Sequence, residues 1–278
     1  MAFLSRRAVV PLLLCLMTAA PFTVRAQADG RPPVLLNGPP PILLVREFPK
    51  PRHGSAILPA AKAAPFHHIA LTSMSGPGRV LLISGYPSFA ALEAEGRVGQ
   101  KNPSAGAAID DAMVADGDLL AAADVSHWAY RPDLSLNTRD LVGVRYMEYQ
   151  VIITKPGHWA EVDEWLKMYI QGFKDVPGYN WATYQQAFGT NYYAYLFLAR
   201  YKSLSEADDA WAFGGSAMKA FNTAHGEAGL KRLAELTRVV VDSGMTNLFR
   251  ISPEMSRPPE AVIKAEPGFW TSTAASKP

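Results

Sequence analysis

One histidine lies where a side chain could carry out acid–base chemistry. At 100° per residue, His225 falls on the same helical face as four apolar residues, namely Met218, Phe221, Leu236 and Val240. This pattern directs the imidazole towards the boundary between a helix and a sheet. A buried imidazole needs a hydrogen-bond partner. His225 is therefore either a base or a histidine bonded to the backbone at the edge of the core, and the spacing leaves both open.

Aromatic residues are concentrated in the second half of the chain. Nineteen of the 29 aromatic side chains lie between residues 141 and 249, together with polar residues such as Glu148, Gln150, Gln185 and Arg200. Apolar walls with a few polar groups are typical of small-molecule sites. We therefore predict a cleft for a flat or aromatic ligand, with candidate ligand-binding residues Arg145, Tyr149, Trp159, Tyr193 and His225. The alternative is an aromatic core whose hydroxyl groups reach water or the backbone.

Other reactive residue types do not form a recognisable site. The acidic pairs, Asp110-Asp111, Asp163-Glu164 and Asp208-Asp209, are typical of solvated helix faces. His67 and His68 begin a predicted strand, where neighbouring side chains point to opposite faces and cannot share one metal ion. We predict no metal site, and the catalytic residues stay unassigned.

The first 26 residues have the pattern of a secretory signal. Arg6 and Arg7 precede an apolar run from Ala8 to Met17, and small residues surround Arg25 before a predicted cleavage after Ala26. Cleavage would leave 24 of the 27 basic side chains and all 25 acidic ones, without a basic surface for nucleic acid. We expect a secreted or periplasmic protein that does not associate with the membrane once the signal is removed. Cys15, the single cysteine, lies in the signal, which excludes thiolate and iron–sulfur chemistry in the mature chain.

The remaining sequence divides into two similar halves between a Pro/Gly-rich leader, 27–41, and a Pro-containing tail, 258–278. Residues 42–137 and 138–257 each show short β-type runs and helical runs in the order β-α-β-β-α-β. The predicted strands are 42–48, 67–74, 80–84 and 125–130, then 142–154, 181–188, 192–200 and 246–251. The predicted helices are 53–64, a region from Phe89, 158–173 and a long region before residue 246.

Short motifs recur in the same order in both halves. Lys50-Pro51-Arg52-His53 matches Lys155-Pro156-Gly157-His158, Tyr86-Pro87-Ser88-Phe89 matches Tyr201-Lys202-Ser203-Leu204, and a third pair begins at Pro132 and Pro253. Lys-Pro-x-His is typical of a point where a strand ends and a helix begins. The pattern predicts an α+β fold with two ferredoxin-like repeats, packed sheet to sheet as an intramolecular pseudo-dimeric barrel. The strand around Tyr195 is apolar at both odd and even positions, so we expect it to be buried on both faces.

The stretch VRYMEYQVIITKPGH is an opening strand that ends in Pro-Gly before a helix. Here the chain resembles the NIPSNAP and antibiotic-biosynthesis-monooxygenase relatives of the dimeric α/β barrel superfamily, over residues 42–257. This resemblance implies an oxidoreductase of the cofactor-independent or haem-using type. Its likeness to chlorite dismutases and haem-degrading monooxygenases implies an axial histidine on a helix that borders the sheet, and His225 is the matching residue.

The leading hypothesis is an exported protein that binds a small apolar or aromatic molecule in a cleft of the second repeat, without a cofactor. An oxidoreductase, with haem on His225 as one form, is the alternative. A structural component of an exported complex is a third hypothesis. Whether the protein is an enzyme and whether it forms a homodimer stay open.

Overall fold

Eight antiparallel strands close into one barrel in the computed structural model, which describes residues 38–49, 61, 64, 66–100, 124–189, 193–211 and 215–271. The strands are β1 (Ile42–Pro49), β2 (Ile69–Ser73), β3 (Arg79–Tyr86), β4 (Asp124–Tyr130), β5 (Tyr146–Thr154), β6 (Ala182–Phe188), β7 (Ala194–Tyr201) and β8 (Val241–Ile251). Around the barrel their order is β1-β3-β2-β8-β5-β7-β6-β4. The predicted α+β class is confirmed, and so is a closed barrel.

Helices follow the strands in chain order. They are α1 (Phe89–Gln100), α2 (Trp159–Phe173), α3 (Ser205–Trp211), α4 (Ser216–Val240), α5 (Glu260–Ala265) and α6 (Pro267–Trp270). α4 is interrupted at Gly226, whose φ of +64° is not helical. Among the residues that the structure describes, no helix is both long and apolar enough to span a membrane.

The two halves of the chain have the same strand order. The first half reads β4-β1-β3-β2 and the second reads β8-β5-β7-β6, so in each half the order is fourth, first, third, second. The halves join edge to edge, where β2 pairs with β8 and β4 pairs with β6. These two seams close the barrel, which leaves no open edge on either four-stranded sheet.

Every second side chain along each strand points into the barrel and fills its interior. Leu43 and Val45 of β1, Leu81 and Ile83 of β3, and Met147 and Tyr149 of β5 belong to one buried cluster. Because successive side chains on a strand point to opposite faces, the residues between them face outwards. Position parity therefore decides which side chains line the inside of the barrel.

The outer face of the second half is covered by helices. Val162, Trp165 and Leu166 of α2 and Phe221 of α4 pack on the outward side chains of β7. All eight residues of β7 are buried, as the apolar run around Tyr195 predicted. On α4 the buried residues are Ala217, Phe221, Leu236 and Val240, whereas Met218, which lies 100° from Ala217, is exposed.

The C-terminal segment, which the sequence places outside the two halves, contains two short helices. Residues 260–265 and 267–270 form α5 and α6, and Val262 is buried in the cluster that fills the barrel. Phe269 and Trp270 pack against the same cluster. Proline at 267 is at the first position of a helix, where its missing N–H costs no hydrogen bond, so the proline content of this segment does not exclude helices. The segment covers the barrel end at which β5 begins.

The structure agrees with most of the predicted elements that it describes. Lys155-Pro156-Gly157-His158 lies between the end of β5 at Thr154 and the start of α2 at Trp159, as predicted. Strand β5 begins at Tyr146 instead of residue 142, because Val142 and Gly143 form a turn. The predicted signal, most of the leader and nearly all of the predicted helix 53–64 lie outside the described residues.

Candidate functional site

Polar side chains take the inward positions at one end of the barrel. On β1, Glu47 follows Val45 by two residues and faces the interior, while Arg46 faces outwards with its guanidinium carbon 3.8 Å from the ring centroid of Phe66. On β4, Asp124 and Ser126 precede the buried Trp128 with the same period. β3 begins here with Arg79. The alternation that packs the core therefore also brings these groups together.

A cavity of about 450 Å³ lies at this end of the barrel. Its lining combines charged or polar residues with apolar ones: Glu47, Arg79, Asp124, Ser126, Tyr149, Gln186 and Ser243, with Trp128, Val151, Ile153, Ala194, Gly244 and Met245. Both halves of the chain contribute to this lining. A volume of this size is in the range of small-molecule sites.

An ion pair and a second carboxylate form the charged side of the cavity. Arg79 donates a hydrogen bond to Glu47, and its Nη1 also lies 3.7 Å from the Met245 sulfur. Asp124 is directly opposite Glu47 in the pairing of β1 with β4. Burial raises the pKa of the Glu47 carboxyl group, Arg79 opposes this effect, and Asp124 adds to it. A carboxylate with a raised pKa in a cavity is a candidate proton acceptor.

Tyr149 forms the floor of the cavity. Its side chain is almost completely buried, and its ring packs edge to face on Phe249 with centroids 5.9 Å apart. Burial raises the pKa of the Tyr149 phenol, the carboxylates of Glu47 and Asp124 raise it further, and Arg79 lowers it. The phenol therefore stays protonated at neutral pH and can donate a hydrogen bond to a ligand.

Trp128 also lines the cavity, and a local hydrogen bond holds its side chain. The indole Nε1 of Trp128 donates to the Ser126 hydroxyl at 2.8 Å, and both residues lie on the inward face of β4. This bond fixes the orientation of the indole plane. The cavity is thus lined by two aromatic side chains, Trp128 and Tyr149, and has one charged edge.

Of the five predicted ligand-binding residues, Tyr149 lines this cavity and the other four do not. Trp159 and Tyr193 contact each other, with ring centroids 5.1 Å apart, where α2 begins beside β7. The Trp159 side chain is 39% exposed. Their role in binding stays a prediction.

Arg145 lies at the covered end of the barrel. Its guanidinium forms an ion pair with Glu266, the residue between α5 and α6. The guanidinium carbon also lies 3.8 Å from the ring centroid of Phe269. The pKa of the Glu266 carboxyl group is lowered, chiefly by the hydrogen bond from Arg145. In this position Arg145 attaches the C-terminal segment to the barrel.

His225 lies on the outside of the barrel, on α4. Its Nε2 is 2.9 Å from the Met168 carbonyl oxygen, and its ring centroid is 4.6 Å from that of Phe221. The imidazole is therefore bonded to the backbone, which is one of the two roles that the sequence allowed for His225. The described residues that line the cavity include no histidine. The groups present there therefore do not fit an axially ligated haem, and we derive no chemistry through one.

The remaining aromatic and polar candidates of the second half are engaged elsewhere. Trp165, Phe173, Trp181, Tyr195 and Phe197 pack together between sheet and helices. Glu148 accepts from the Tyr201 hydroxyl at 2.9 Å, Gln150 donates to Thr246 at 3.0 Å, and Gln185 accepts from Arg131 at 3.0 Å. The aromatic concentration is thus largely a packed core. Within the described residues, no group of three or more His, Cys, Asp or Glu is placed to hold a metal ion.

The sequence did not predict the group formed by Glu47, Arg79, Asp124, Trp128 and Gln186. A usable signal was present, because polar residues replace apolar ones at the inward positions where β1 ends and β4 begins. That signal has meaning only when the barrel pairing is known.

Known proteins resemble this chain in fold and not in sequence. No protein-family model matches the chain, and no curated protein matches it. Among solved structures, the chain is similar to an anthrone oxidase-like protein, with 12% identity, a TM-score of 0.50, and coverage of 76% of this chain and 91% of that one. A chlorite dismutase from Candidatus Nitrospira defluvii matches with 9% identity, a TM-score of 0.42, and coverage of 79% and 94%.

A third match is a Fusobacterium nucleatum protein provisionally assigned as a monooxygenase, with 13% identity, a TM-score of 0.47, and coverage of 77% and 93%. At such low identity the likeness concerns the fold alone. The resemblance to the dimeric α/β barrel superfamily therefore stays a prediction. The NIPSNAP relationship stays a prediction.

Proposed function

We propose that this protein binds a small molecule in the cavity at the barrel end opposite the C-terminal segment, with part of an aromatic ligand between Trp128 and Tyr149. The observation that carries this proposal is the lining itself. A cavity of about 450 Å³ that combines aromatic walls with a half-buried ion pair, a phenol and an amide has the composition of a ligand site. The proposal moves the binding site from the second repeat alone to the interior shared by both halves.

A filling substitution tests this proposal. Ser243→Trp places a large side chain at the rim of the cavity, where Ser243 is exposed and the fold tolerates bulk. The matched control is Thr246→Trp on the same strand. Thr246 lies on the outer face of the barrel, where its hydroxyl accepts a hydrogen bond from Gln150. Calorimetric titration with small aromatic compounds should give binding to the unmodified chain and to Thr246→Trp, and at least a tenfold loss for Ser243→Trp. Equal binding by both variants would place the ligand elsewhere.

Cofactor-independent oxidation is a second candidate function, and the Glu47 carboxylate favours it. A half-buried carboxylate with a raised pKa can remove a proton from an acidic C–H or O–H group of a bound aromatic compound. One structural neighbour is described as anthrone oxidase-like, which supplies a first substrate to try. Oxygen consumption with anthrone should then depend on Glu47 and fall at least a hundredfold in Glu47→Gln. Activity that survives this substitution would refute Glu47 as the base.

We also propose that the barrel consists of two ferredoxin-like repeats in one chain. Identical strand orders in the two halves and the ordered sequence motifs support this interpretation. The helices that follow β3 and β5, α1 and α2, occupy the positions expected of such repeats. Export to the periplasm or beyond the cell remains our proposal from the signal-like N-terminus.

A further inference from the structure

We propose that the barrel-end cavity selects an organic cation, such as a primary amine on an aromatic body, over neutral and anionic molecules of the same shape. This inference rests on the proposed ligand site and names the class of its ligand.

The charges that line the cavity are unbalanced. Among the described lining residues, two carboxylates, Glu47 and Asp124, face one guanidinium, Arg79. Arg79 is bonded to Glu47, and no described residue forms an ion pair with Asp124. The described lining of the cavity therefore holds one more carboxyl group than guanidinium groups. A ligand that enters with a positive charge would balance this additional carboxyl group.

The electrostatic effect on Tyr149 supports the same conclusion. After burial, the main influences that raise the pKa of its phenol are the carboxylates of Glu47 and Asp124, which Arg79 only partly opposes. The field at the floor of the cavity is thus negative. Low solvent access at this position makes the field stronger than at an open surface.

The uncharged walls also suit a cation. The faces of Trp128 and Tyr149 are electron-rich, and aromatic faces attract ammonium groups. The Met245 sulfur is a further polarisable contact. An ammonium group at Asp124 could place its attached ring against these walls, so that charge and apolar contact act together.

Three ligands with the same ring separate charge from shape: benzylamine, benzyl alcohol and benzoate. In calorimetric titrations at low ionic strength, the unmodified chain should bind benzylamine about tenfold more tightly than benzyl alcohol, as expected for a charge-assisted hydrogen bond. Benzoate should bind more weakly than either. Asp124→Asn should bind benzylamine and benzyl alcohol equally, while affinity for the alcohol stays unchanged.

Two further variants complete the test. Asp124→Lys should reverse the preference in favour of benzoate, and the exposed position of Asp124 makes this change compatible with folding. Asp175→Asn removes an exposed carboxylate outside the cavity and should keep the preference of the unmodified chain.

The outcomes distinguish this inference from the function on which it rests. If the three compounds bind with equal affinity, or benzoate binds best, and Ser243→Trp still abolishes binding, the cavity is a ligand site but the cation inference is wrong. If Asp175→Asn changes the preference as much as Asp124→Asn, the effect is one of overall charge and the inference is also wrong. If none of the compounds binds, the proposed binding of small aromatic molecules fails together with the inference.

Discussion

Individual residues show how strand parity separates structural from functional positions. Arg46 and Glu47 are neighbours in sequence, yet Arg46 stacks on Phe66 outside the barrel and Glu47 pairs with Arg79 inside it. A single-residue shift in the register of β1 would exchange these environments. The chemistry of the cavity therefore depends on the pairing of β1 with β3 and β4 as much as on the residue types.

At the residue scale, we predict that haem does not bind through His225. The imidazole Nε2 lies 2.9 Å from the Met168 carbonyl oxygen, and its ring packs on Phe221, so ligation would break one bond and disrupt a packed contact. Titration of the purified chain with haemin should give no Soret shift that depends on this residue. The spectra of the unmodified chain and of His225→Ala should coincide.

His127 provides the control for this titration. It is a half-buried histidine on the outer face of β4, and its ring centroid lies 6.0 Å from that of Phe188. His127→Ala should leave the haemin spectrum unchanged in the same way. A Soret shift that is lost in His225→Ala and kept in His127→Ala would overturn the prediction and restore His225 as an axial ligand.

At the element scale, the contact of α2 with α4 depends on one glycine. A Cβ atom at Gly172 would lie 2.4 Å from Cδ2 of the buried Phe221. We predict that Gly172→Ala lowers the free energy of unfolding by about 1–3 kcal/mol, because overpacking forces the two helices apart. Urea unfolding followed by circular dichroism measures this change.

Gly96 in α1 is the matched control. A Cβ atom there meets no heavy atom within 4 Å, so Gly96→Ala adds only helix propensity. This variant should be unchanged or more stable by about 0.5–1 kcal/mol. If Gly172→Ala were as stable as Gly96→Ala, the close approach of α2 and α4 would not contribute to stability as inferred.

Elements with a strong local pattern could be predicted from the sequence, whereas others could not. β7 and the hairpin with β6 were predictable because an apolar run and a turn lie next to each other in the chain. The break in α4 at Gly226 and the helices of the C-terminal segment were not, because glycine and proline have several compatible structures. The site was missed for a different reason. Glu47, Arg79 and Asp124 meet only through long-range strand pairing, which no local spacing encodes.

At the scale of the whole molecule, closure of the barrel explains both the core and the cavity. The seams of β2 with β8 and β4 with β6 bring the inward residues of both halves into one cluster. The C-terminal segment covers one end, and Arg145 and Glu266 attach it there. The polar inward positions lie at the opposite end, where they line the cavity.

This arrangement predicts that neither half is stable alone. Separate chains of residues 27–137 and 138–278 would each expose the inward face of a four-stranded sheet and two seam edges, β2 and β4 or β6 and β8. Each chain alone should aggregate or associate with itself. The two chains expressed together should form a 1:1 complex that melts cooperatively, as measured by light scattering and calorimetry. Phe249→Asp provides the control, because it places a charge in the shared interior and should abolish the complex. Two halves that each remain monomeric and melt cooperatively would show that their interiors are independent, and a cavity built from both would then have no basis.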